Sequence, residues 1–382
     1  MLTKSSTFEI RAVTTPEENE MFLDVPLRVY ANDLNWVPPI RSSIAKDFTP
    51  SNPFFNYGKL QQFIAVSQGT NKPLPLGRIV AAVNQRLIER EGQNIGVFGY
   101  FECIQDFEVA QALLDTACEW LRQQGMTVVR GPINLSIHNN FLFLVDGFDS
   151  PPIVRMAYNP PYYPEFIERD GWHKAKDAYT YDFPLDKPLP AEFEKAYRIA
   201  CKSGVNFRPI RTKGEEFEQD AIAIYHLFNR AFANNWSSTP RSQAEFMEEA
   251  REMQSLLDPD VFPIAEYNGE MIGFFMGLPD YNIPLKHLNG KFNWLGIIKF
   301  LWYRRQIDQG RVLIVCSLPE YRRKMVPLAL IYLGMRGGQL KGKPYKRAEL
   351  GQVNEDNFPS RKLIEAAGGK IYKTYRVYEK AL

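Results

Sequence analysis

The C-terminal part of the sequence, from residue 312 to residue 378, alternates between the hydrophobic patterns of strands and helices. Short apolar runs rich in β-branched residues predict strands, and apolar residues that recur every three or four positions predict helices. Glycine and proline residues mark the ends of these segments. The pattern predicts, in order, strand 312–316, helix 326–339, strand 347–353, helix 360–367 and strand 372–378.

A similar pattern earlier in the chain indicates an internal repeat. At one constant offset, Ile167-Glu168-Arg169-Asp170-Gly171 aligns with Ile364-Glu365-Ala366-Ala367-Gly368, and Tyr181 aligns with Tyr378. Three prolines between residues 184 and 190 are typical of an extended connector. The chain has 382 residues, a length that also favours two domains. The predicted domains are 1–186 and 187–382.

Three cations follow the first of the C-terminal strands. Arg322, Arg323 and Lys324 lie between strand 312–316 and helix 326–339. A helix N-terminus has unpaired N–H donors and a dipole that favours anions. The turn is therefore a candidate phosphate-binding site.

The order of elements and two motifs resemble the GNAT superfamily of N-acyltransferases. The motifs are Pro319-Glu320-Tyr321-Arg322, and Asn357 with Leu363, Ile364, Glu365 and Gly368. The resemblance implies an α/β (α+β) fold of two tandem GNAT-like domains, each a mixed, mostly antiparallel sheet flanked by helices. It also implies that an acyl-CoA or acyl-carrier thioester binds where a strand splits from its neighbour, with no metal. The cofactor-binding residues implied are Val315, Ser317, Arg322, Arg323, Lys324 and Asn357.

The sequence departs from the superfamily pattern at three positions. Met325 and Pro327 stand where the turn usually has small residues, and Pro327 has no N–H to donate. Ile364 stands where the resemblance places a tyrosine acid. Two interpretations stay open: either cations hold the phosphates in place of backbone N–H groups, or no nucleotide binds.

Carboxylates and tyrosines near the predicted split are the candidate catalytic groups. An amine acceptor is protonated at neutral pH, so a base must remove a proton before attack. Glu349, on the strand across the split, is the predicted base, and Glu355 is the alternative. Tyr378, or else Tyr375, is the candidate for the missing acid, although tyrosines in a terminal strand often serve packing.

The first domain differs from the second at the corresponding turn. Asp106 and Glu108 stand at the start of the helix that follows strand 97–104. Asp106 is a good helix cap, but two acids repel a phosphate. We therefore expect an acyl thioester in the second domain alone.

Polar residues cluster after strand 128–132 of the first domain. Amides and hydroxyls in fixed positions are typical of an acceptor pocket, or of a loop that satisfies its own backbone. These stretches resemble those of GNAT-like bacterial proteins that the chain resembles end to end, and some relatives of this general type are N-acyltransferases that make ceramide from a sphingoid base. The predicted substrate-binding residues here are Asn134, Ser136, Asn139, Tyr158 and Asn159.

An insertion at 284–311 interrupts the second domain. Its core, 292–305, combines an apolar helical stripe with tryptophans and flanking cations, and Trp302 is a predicted substrate contact. Three interpretations are open: a helix at a membrane interface, a flap over an acyl chain, or a core helix whose cations reach solvent.

Composition limits the alternatives. The net charge of +2 does not predict a nucleic-acid partner. The four cysteines and four histidines show neither metal-ligand nor disulfide spacing. The N-terminal residues contain no apolar targeting segment. We expect a cytoplasmic protein, with peripheral attachment to the inner face of the membrane as the alternative.

The predicted function is transfer of an acyl group, long rather than short, from an acyl thioester to a small-molecule amine or lipid acceptor. One alternative is a degenerate GNAT-like module that binds lipid or protein without catalysis. The other is a tRNA-dependent aminoacyl transferase, a class that also pairs two GNAT-like domains. The sequence leaves the acceptor, the acyl length and the carrier of the thioester open.

Overall fold

The structure is a computed structural model that describes residues 7–69, 73–232, 235–340, 342 and 345–382. Residues 1–6, in which the sequence shows no apolar targeting segment, lie outside this description. The chain forms two compact units, unit 1 (Met1–Asp177, Leu288–Ile297 and Lys373–Leu382) and unit 2 (Ala178–His287 and Ile298–Tyr372). The division at residue 187 stays a prediction about separately folding domains.

Unit 1 contains a mixed sheet in which only β4 and β5 run parallel among the strand pairs described. The sheet order is β1-β2-β3-β4-β5-β13, and β6 also pairs with β13. With strands numbered in chain order, the bounds are β1 Phe8–Ala12, β2 Gly58–Ser67, β3 Pro75–Asn84, β4 Ile95–Cys103, β5 Val128–Gly131, β6 Phe143–Asp146 and β13 Lys370–Ala381. The helices are α1 Pro16–Val29, α2 Arg41–Lys46, α3 Gln85–Glu91, α4 Phe107–Gln123 and α5 Tyr162–Arg169.

Both faces of this sheet are covered, because β3 is buried along almost its whole length. Leu113 and Leu121 of α4 pack into the core on one face, and Phe22 and Val25 of α1 pack into the core on the other. Asp106 caps α4 by accepting a hydrogen bond from the Glu108 N–H at 3.0 Å, which confirms the predicted cap.

Unit 2 repeats the architecture with the sheet order β7-β12-β11-β10-β9-β8, in which only β11 and β12 run parallel among the pairs described. The bounds are β7 His173–Pro184 (in unit 2 from Ala178), β8 Asn206–Pro209, β9 Pro263–Tyr267, β10 Glu270–Pro279, β11 Gln309–Ser317 and β12 Arg347–Asn354. The helices are α6 Ala191–Lys202, α7 Gly214–Phe232, α8 Gln243–Met253, α9 Asn282–Lys286, α10 Trp294–Tyr303 (in unit 2 from Ile298), α11 Val326–Gly338 and α12 Phe358–Ala366.

The predicted fold class and the predicted C-terminal elements are confirmed, with small shifts at their ends. Helix α12 begins at Phe358 instead of the predicted residue 360, because Asn357 is its N-cap and accepts a hydrogen bond from the Ser360 N–H at 3.3 Å. None of the helices in the described ranges has the length and apolar content that a membrane crossing requires.

Helix α11 lies unusually close to its neighbours in unit 2 because it presents glycines to them. A Cβ added at Gly334 would stand 2.3 Å from the ring of Phe275 in β10, and one at Gly337 would stand 1.8 Å from the carbonyl oxygen of Asp260. Val326, Ala329 and other apolar residues of the helix pack into the core of unit 2. The close approach at Gly334 and Gly337 fixes the C-terminal half of α11 against β10 and Asp260.

Candidate active site

The central feature of unit 2 is a split between two parallel strands. Strands β11 and β12 pair only from Gln309 opposite Arg347 to Val312 opposite Leu350. Beyond that point β11 continues against β10 as far as Ser317, and β12 continues against β7 as far as Asn354. Within the described residues, the last part of β11 therefore has a strand partner on one side only.

A bulge marks the place where β11 leaves β12. Ile314 faces Met276 and Val312 faces Gly277, so Leu313 is an extra residue on β11. The predicted cofactor-binding residues Val315 and Ser317 follow it. Val315 is 36% exposed, and Ser317 is half-buried.

Cys316 lies between these two residues with its side chain in the opposite, buried direction. Burial raises the pKa of its thiol to about 12. The thiolate is the nucleophilic form of cysteine. Cys316 is therefore protonated at neutral pH and is not a candidate for a covalent acyl intermediate.

A 3₁₀ helix, Pro319–Lys324, leads from β11 to α11, and Met325 joins the two. Met325 has φ 61° and ψ 20°, a left-handed conformation that favours glycine. In the first turn of α11 the Leu328 N–H is the donor that remains for a ligand, because Pro327 has none, Val326 is fully buried and the Ala329 N–H already donates to Met325 O at 3.0 Å.

The three predicted phosphate-binding cations have different surroundings. Arg322 and Arg323 are exposed at the surface of the turn. Lys324 is half-buried, and its Nζ donates to Ser203 O at 3.0 Å and lies 4.2 Å from the ring centre of Tyr267. The structure thus presents the two arginines to solvent and fixes the lysine to unit 2.

The predicted base Glu349 lies at the closed end of the split, directly opposite Arg311. It is 0% exposed, and its Oε1 is 3.5 Å from Arg311 Nε. The hydroxyl of Tyr372 donates a hydrogen bond to its Oε2. Burial, and then the negative charge of Glu349, raise the pKa of Tyr372, so the tyrosine remains a proton donor at neutral pH.

The other end of β12 carries the alternative base and the predicted asparagine. The carbonyl oxygen of Glu355 accepts a hydrogen bond from Arg361 Nη1 at 2.8 Å, and its side chain is partly exposed. Asn357 follows as the exposed N-cap of α12. The structure therefore places Val315, Ser317, Glu349, Glu355 and Asn357 on the two strands that border the split or directly after them.

Tyr378, the predicted acid, belongs to unit 1. It is buried in the core there, and its hydroxyl donates to Glu168 Oε1 at 2.8 Å. Burial and Glu168 raise its pKa. In unit 2 the tyrosine that contacts the candidate base is Tyr372.

The parallel strand pair of unit 1 is arranged differently from that of unit 2. Strands β4 and β5 pair from Ile95 to Val97, and the chain after β5 then follows β4. The Ile133 N–H donates to Phe98 O at 2.7 Å, and Asn134 Oδ1 accepts a hydrogen bond from the Tyr100 N–H at 2.8 Å. The edge of β4 that follows Val97 is thus occupied by the chain itself.

The remaining polar residues predicted to bind substrate in unit 1 also have protein partners. Ser136 Oγ accepts from the His138 N–H, Asn139 Nδ2 donates to Asn134 O, and Tyr158 donates to Asp33. Asn159, which is 2% exposed, bonds both the N–H and the carbonyl of Leu144. These contacts order the loop, and a role in substrate binding stays a prediction.

Sequence reasoning missed Arg311 and Tyr372, the two partners of Glu349. Arg311 stands out in retrospect as a charged residue at the start of an apolar strand. Its position opposite Glu349 depends on strand register, which the sequence pattern does not reveal. Among the described residues, no group of three histidine, cysteine or acidic side chains has the geometry of a metal site.

Each unit has a sheet with one parallel strand pair that splits, and in unit 2 the split strand turns into a helix. Two such units in one chain define the tandem GNAT class. A tandem GNAT protein from the clavulanic acid biosynthesis pathway is similar in structure, with a TM-score of 0.57 and 12% identity over 98% of both chains. A GCN5-related N-acetyltransferase from Sphaerobacter thermophilus has a TM-score of 0.53 and 14% identity over 98% of this chain and 95% of that one.

The chain belongs to the family of the bacterial ceramide synthase of Caulobacter vibrioides. The two sequences are 32% identical over 97% of this chain and 96% of that protein. Protein YghO of Escherichia coli is 26% identical over 98% of this chain and 95% of its own length. No model of a known protein family matches the sequence. Fold and family together support an N-acyltransferase.

Proposed function

We propose that unit 2 transfers a long acyl group from an acyl thioester to an amine. The observation that carries this proposal is the open edge of β11, which begins at the bulge and ends at the turn into α11. An extended chain can add along such an edge through backbone hydrogen bonds. The helix N-terminus next to it favours an anion.

The residues at the turn fit a phosphate group, although with a weaker backbone contribution than a glycine-rich turn gives. The Leu328 N–H of α11 is available in its first turn, and Arg322 and Arg323 add exposed charges beside it. Guanidinium groups bind phosphate oxygens in a bidentate manner. In this proposal Val315 and Ser317 border the donor, and Asn357 borders it from the β12 side.

The acyl thioester supplies an electrophilic carbonyl, and the chain supplies positioning and a route for the proton. Backbone N–H groups of β11 polarise the carbonyl oxygen. The deprotonated amine nitrogen forms the new C–N bond, the C–S bond breaks, and the second proton that the nitrogen loses goes to the leaving thiolate, which departs as the thiol. Glu349 accepts the amine proton, with Tyr372 bridging between the buried carboxylate and the half-exposed surface; Glu355 is the alternative base.

The relative in Caulobacter vibrioides is named a ceramide synthase, and ceramide formation acylates the amine of a sphingoid base. We propose an acceptor of the same chemical class, an amino alcohol with a long alkyl chain. Of the predicted acceptor contacts, Trp302 lies in unit 2, and its side chain is exposed. We place the donor in unit 2 alone, and the occupied edge of β4 supports this choice.

The test is amide formation from palmitoyl-CoA, or from a palmitoylated carrier protein, and a sphingoid base, followed by mass spectrometry. The account predicts product with the wild type and a loss of about 10²-fold or more in kcat for Glu349→Gln. Tyr372→Phe, which keeps the ring in place, should lower kcat without a comparable change in KM. Wild-type activity in Glu349→Gln would rule out its role as the base.

A second candidate, a module that binds acyl thioesters or lipids without catalysis, is favoured by the turn itself. Met325 adopts a glycine-type conformation, and Pro327 removes a donor from the helix N-terminus. This candidate predicts tight binding of palmitoyl-CoA and no amide with any amine, whereas the enzyme predicts both binding and product.

A further inference from the structure

Helix α10 carries a cluster of large apolar side chains on the protein surface. This α10 patch consists of Phe292, Trp294, Leu295, Ile297, Ile298, Leu301 and Trp302, whose side chains are between 45% and 69% exposed. Within this fully described helix, Gly296 is the only buried residue. Contiguous apolar surface of this kind on a folded chain marks an interaction site.

The opposite side of the helix accounts for its attachment to the protein. Phe300 stacks on Tyr281 with 5.9 Å between ring centres, and Tyr303 stacks on His287 at 3.5 Å. Gly296, Phe300 and Tyr303 are spaced as residues on one face of a helix. The apolar side chains of the α10 patch therefore remain at the surface because the attachment uses other residues.

The charge around the α10 patch has a single sign. From residue 281 to residue 307 the sequence contains Lys286, Lys291, Lys299, Arg304 and Arg305 and no aspartate or glutamate. In a symmetric dimer built on this patch, the cations of one copy would face the same cations of the other. Apolar side chains surrounded by cations instead complement a layer with an apolar interior and anionic groups at its surface.

We propose that the α10 patch docks on a membrane surface containing anionic phospholipids. The helix has ten residues, a length of about 15 Å, which is roughly half of a bilayer's hydrocarbon core. It therefore lies in the plane of the interface, with its apolar side chains below the head groups and its cations among them. Trp294 and Trp302 near its two ends are the interfacial anchors. The proposal does not depend on acyl transfer.

The test is co-sedimentation of the full chain with vesicles of phosphatidylcholine alone and of phosphatidylcholine mixed with phosphatidylglycerol. We expect the wild type to pellet with the mixed vesicles and to remain in solution with the neutral ones. Trp294→Ala/Trp302→Ala should lower the partition coefficient at least about tenfold. Leu27→Ala/Leu74→Ala, which removes two side chains exposed by 50% and 44% elsewhere, is the matched control and should bind as the wild type does.

A charge variant gives a second and independent readout. Lys299→Glu/Arg305→Glu changes only exposed residues and should abolish the preference for phosphatidylglycerol. Equal pelleting of the wild type and the tryptophan variant would overturn the proposal. The proposal would also be overturned if the wild type did not bind the mixed vesicles and light scattering showed that it is a dimer, while the tryptophan variant is a monomer.

Discussion

At the scale of single residues, the candidate base is one member of a buried trio. Glu349 has no contact with solvent, and Arg311 and Tyr372 compensate its charge. A buried carboxylate is stable in a fold only when it is paired in this way. Tyr372 is the partly exposed member, and in the proposed mechanism it bridges between the buried carboxylate and the acceptor amine.

The buried thiol of Cys316 predicts a pH dependence of stability. Burial raises its pKa to about 12, against about 8.5 in an unfolded chain. Between these values the unfolded state binds fewer protons than the folded state, so stability is full below about pH 8.5 and decreases as the pH rises through this window. Urea unfolding from about pH 8 to pH 11 should show a smaller decrease in Cys316→Ala, by up to about 1.4 kcal/mol per pH unit.

Leu318→Ala provides the control for this experiment because it removes another buried side chain of the same core cluster but no titratable group. It should lower the free energy of unfolding and keep the pH dependence of the wild type. If Cys316→Ala and Leu318→Ala flatten the dependence equally, the burial of the Cys316 thiol is not its cause.

The sequence pointed to Glu349 because its strand follows the predicted cofactor strand and carries a carboxylate near its middle. It did not point to Arg311 or Tyr372, because their contacts arise from strand register and from the position of β13. It suggested Tyr378 as a replacement for the acid missing at Ile364, whereas the structure places Tyr378 in the core of unit 1. Its proposed acid role is untested.

At the scale of elements, the close approach of α11 to its neighbours holds the helix that follows the proposed phosphate site. Gly337→Ala introduces a Cβ 1.8 Å from the backbone oxygen of Asp260, which side-chain rotation cannot relieve. We expect a loss of about 1–3 kcal/mol in the free energy of unfolding, together with weaker binding of palmitoyl-CoA. Chemical denaturation measures the first effect.

The next residue of the same helix is the matched control. A Cβ at Gly338 would lie 3.5 Å from Leu185 Cδ1, an ordinary contact distance. Gly338→Ala should therefore be neutral or stabilising, because alanine favours the helix by about 1 kcal/mol. Equal destabilisation by the two substitutions would contradict the close packing at Gly337.

The elements themselves were largely predictable, since their apolar periods are regular and glycine or proline marks their ends. Strand β11, helix α11 and strand β12 lie where the pattern predicts them. The occupied edge of β4 was not predictable, because it depends on the hydrogen bonds that Ile133 and Asn134 form with the backbone of Phe98 and Tyr100. The left-handed conformation of Met325 was not predictable either, since the sequence showed only that Met325 stands where the turn usually has a small residue.

At the scale of the whole molecule, the internal repeat produced two units with the same architecture and different strand edges. In unit 1 the chain occupies the edge of its parallel pair, and in unit 2 the edge of β11 is open within the described residues. The repeat in the sequence revealed the duplication. It did not reveal that residues 373–382, at the end of the second copy, belong to unit 1.

Calorimetric titration with palmitoyl-CoA, below its micelle-forming concentration, tests directly whether unit 2 binds the acyl donor at its cationic turn. Arg322→Ala/Arg323→Ala removes the two exposed arginines, and Lys195→Ala/Lys213→Ala, which removes two exposed cations on other elements of unit 2, is the control. The account predicts tight binding by the wild type and the control, and loss of binding by the arginine variant. Equal binding by all three proteins, or by none, would contradict it.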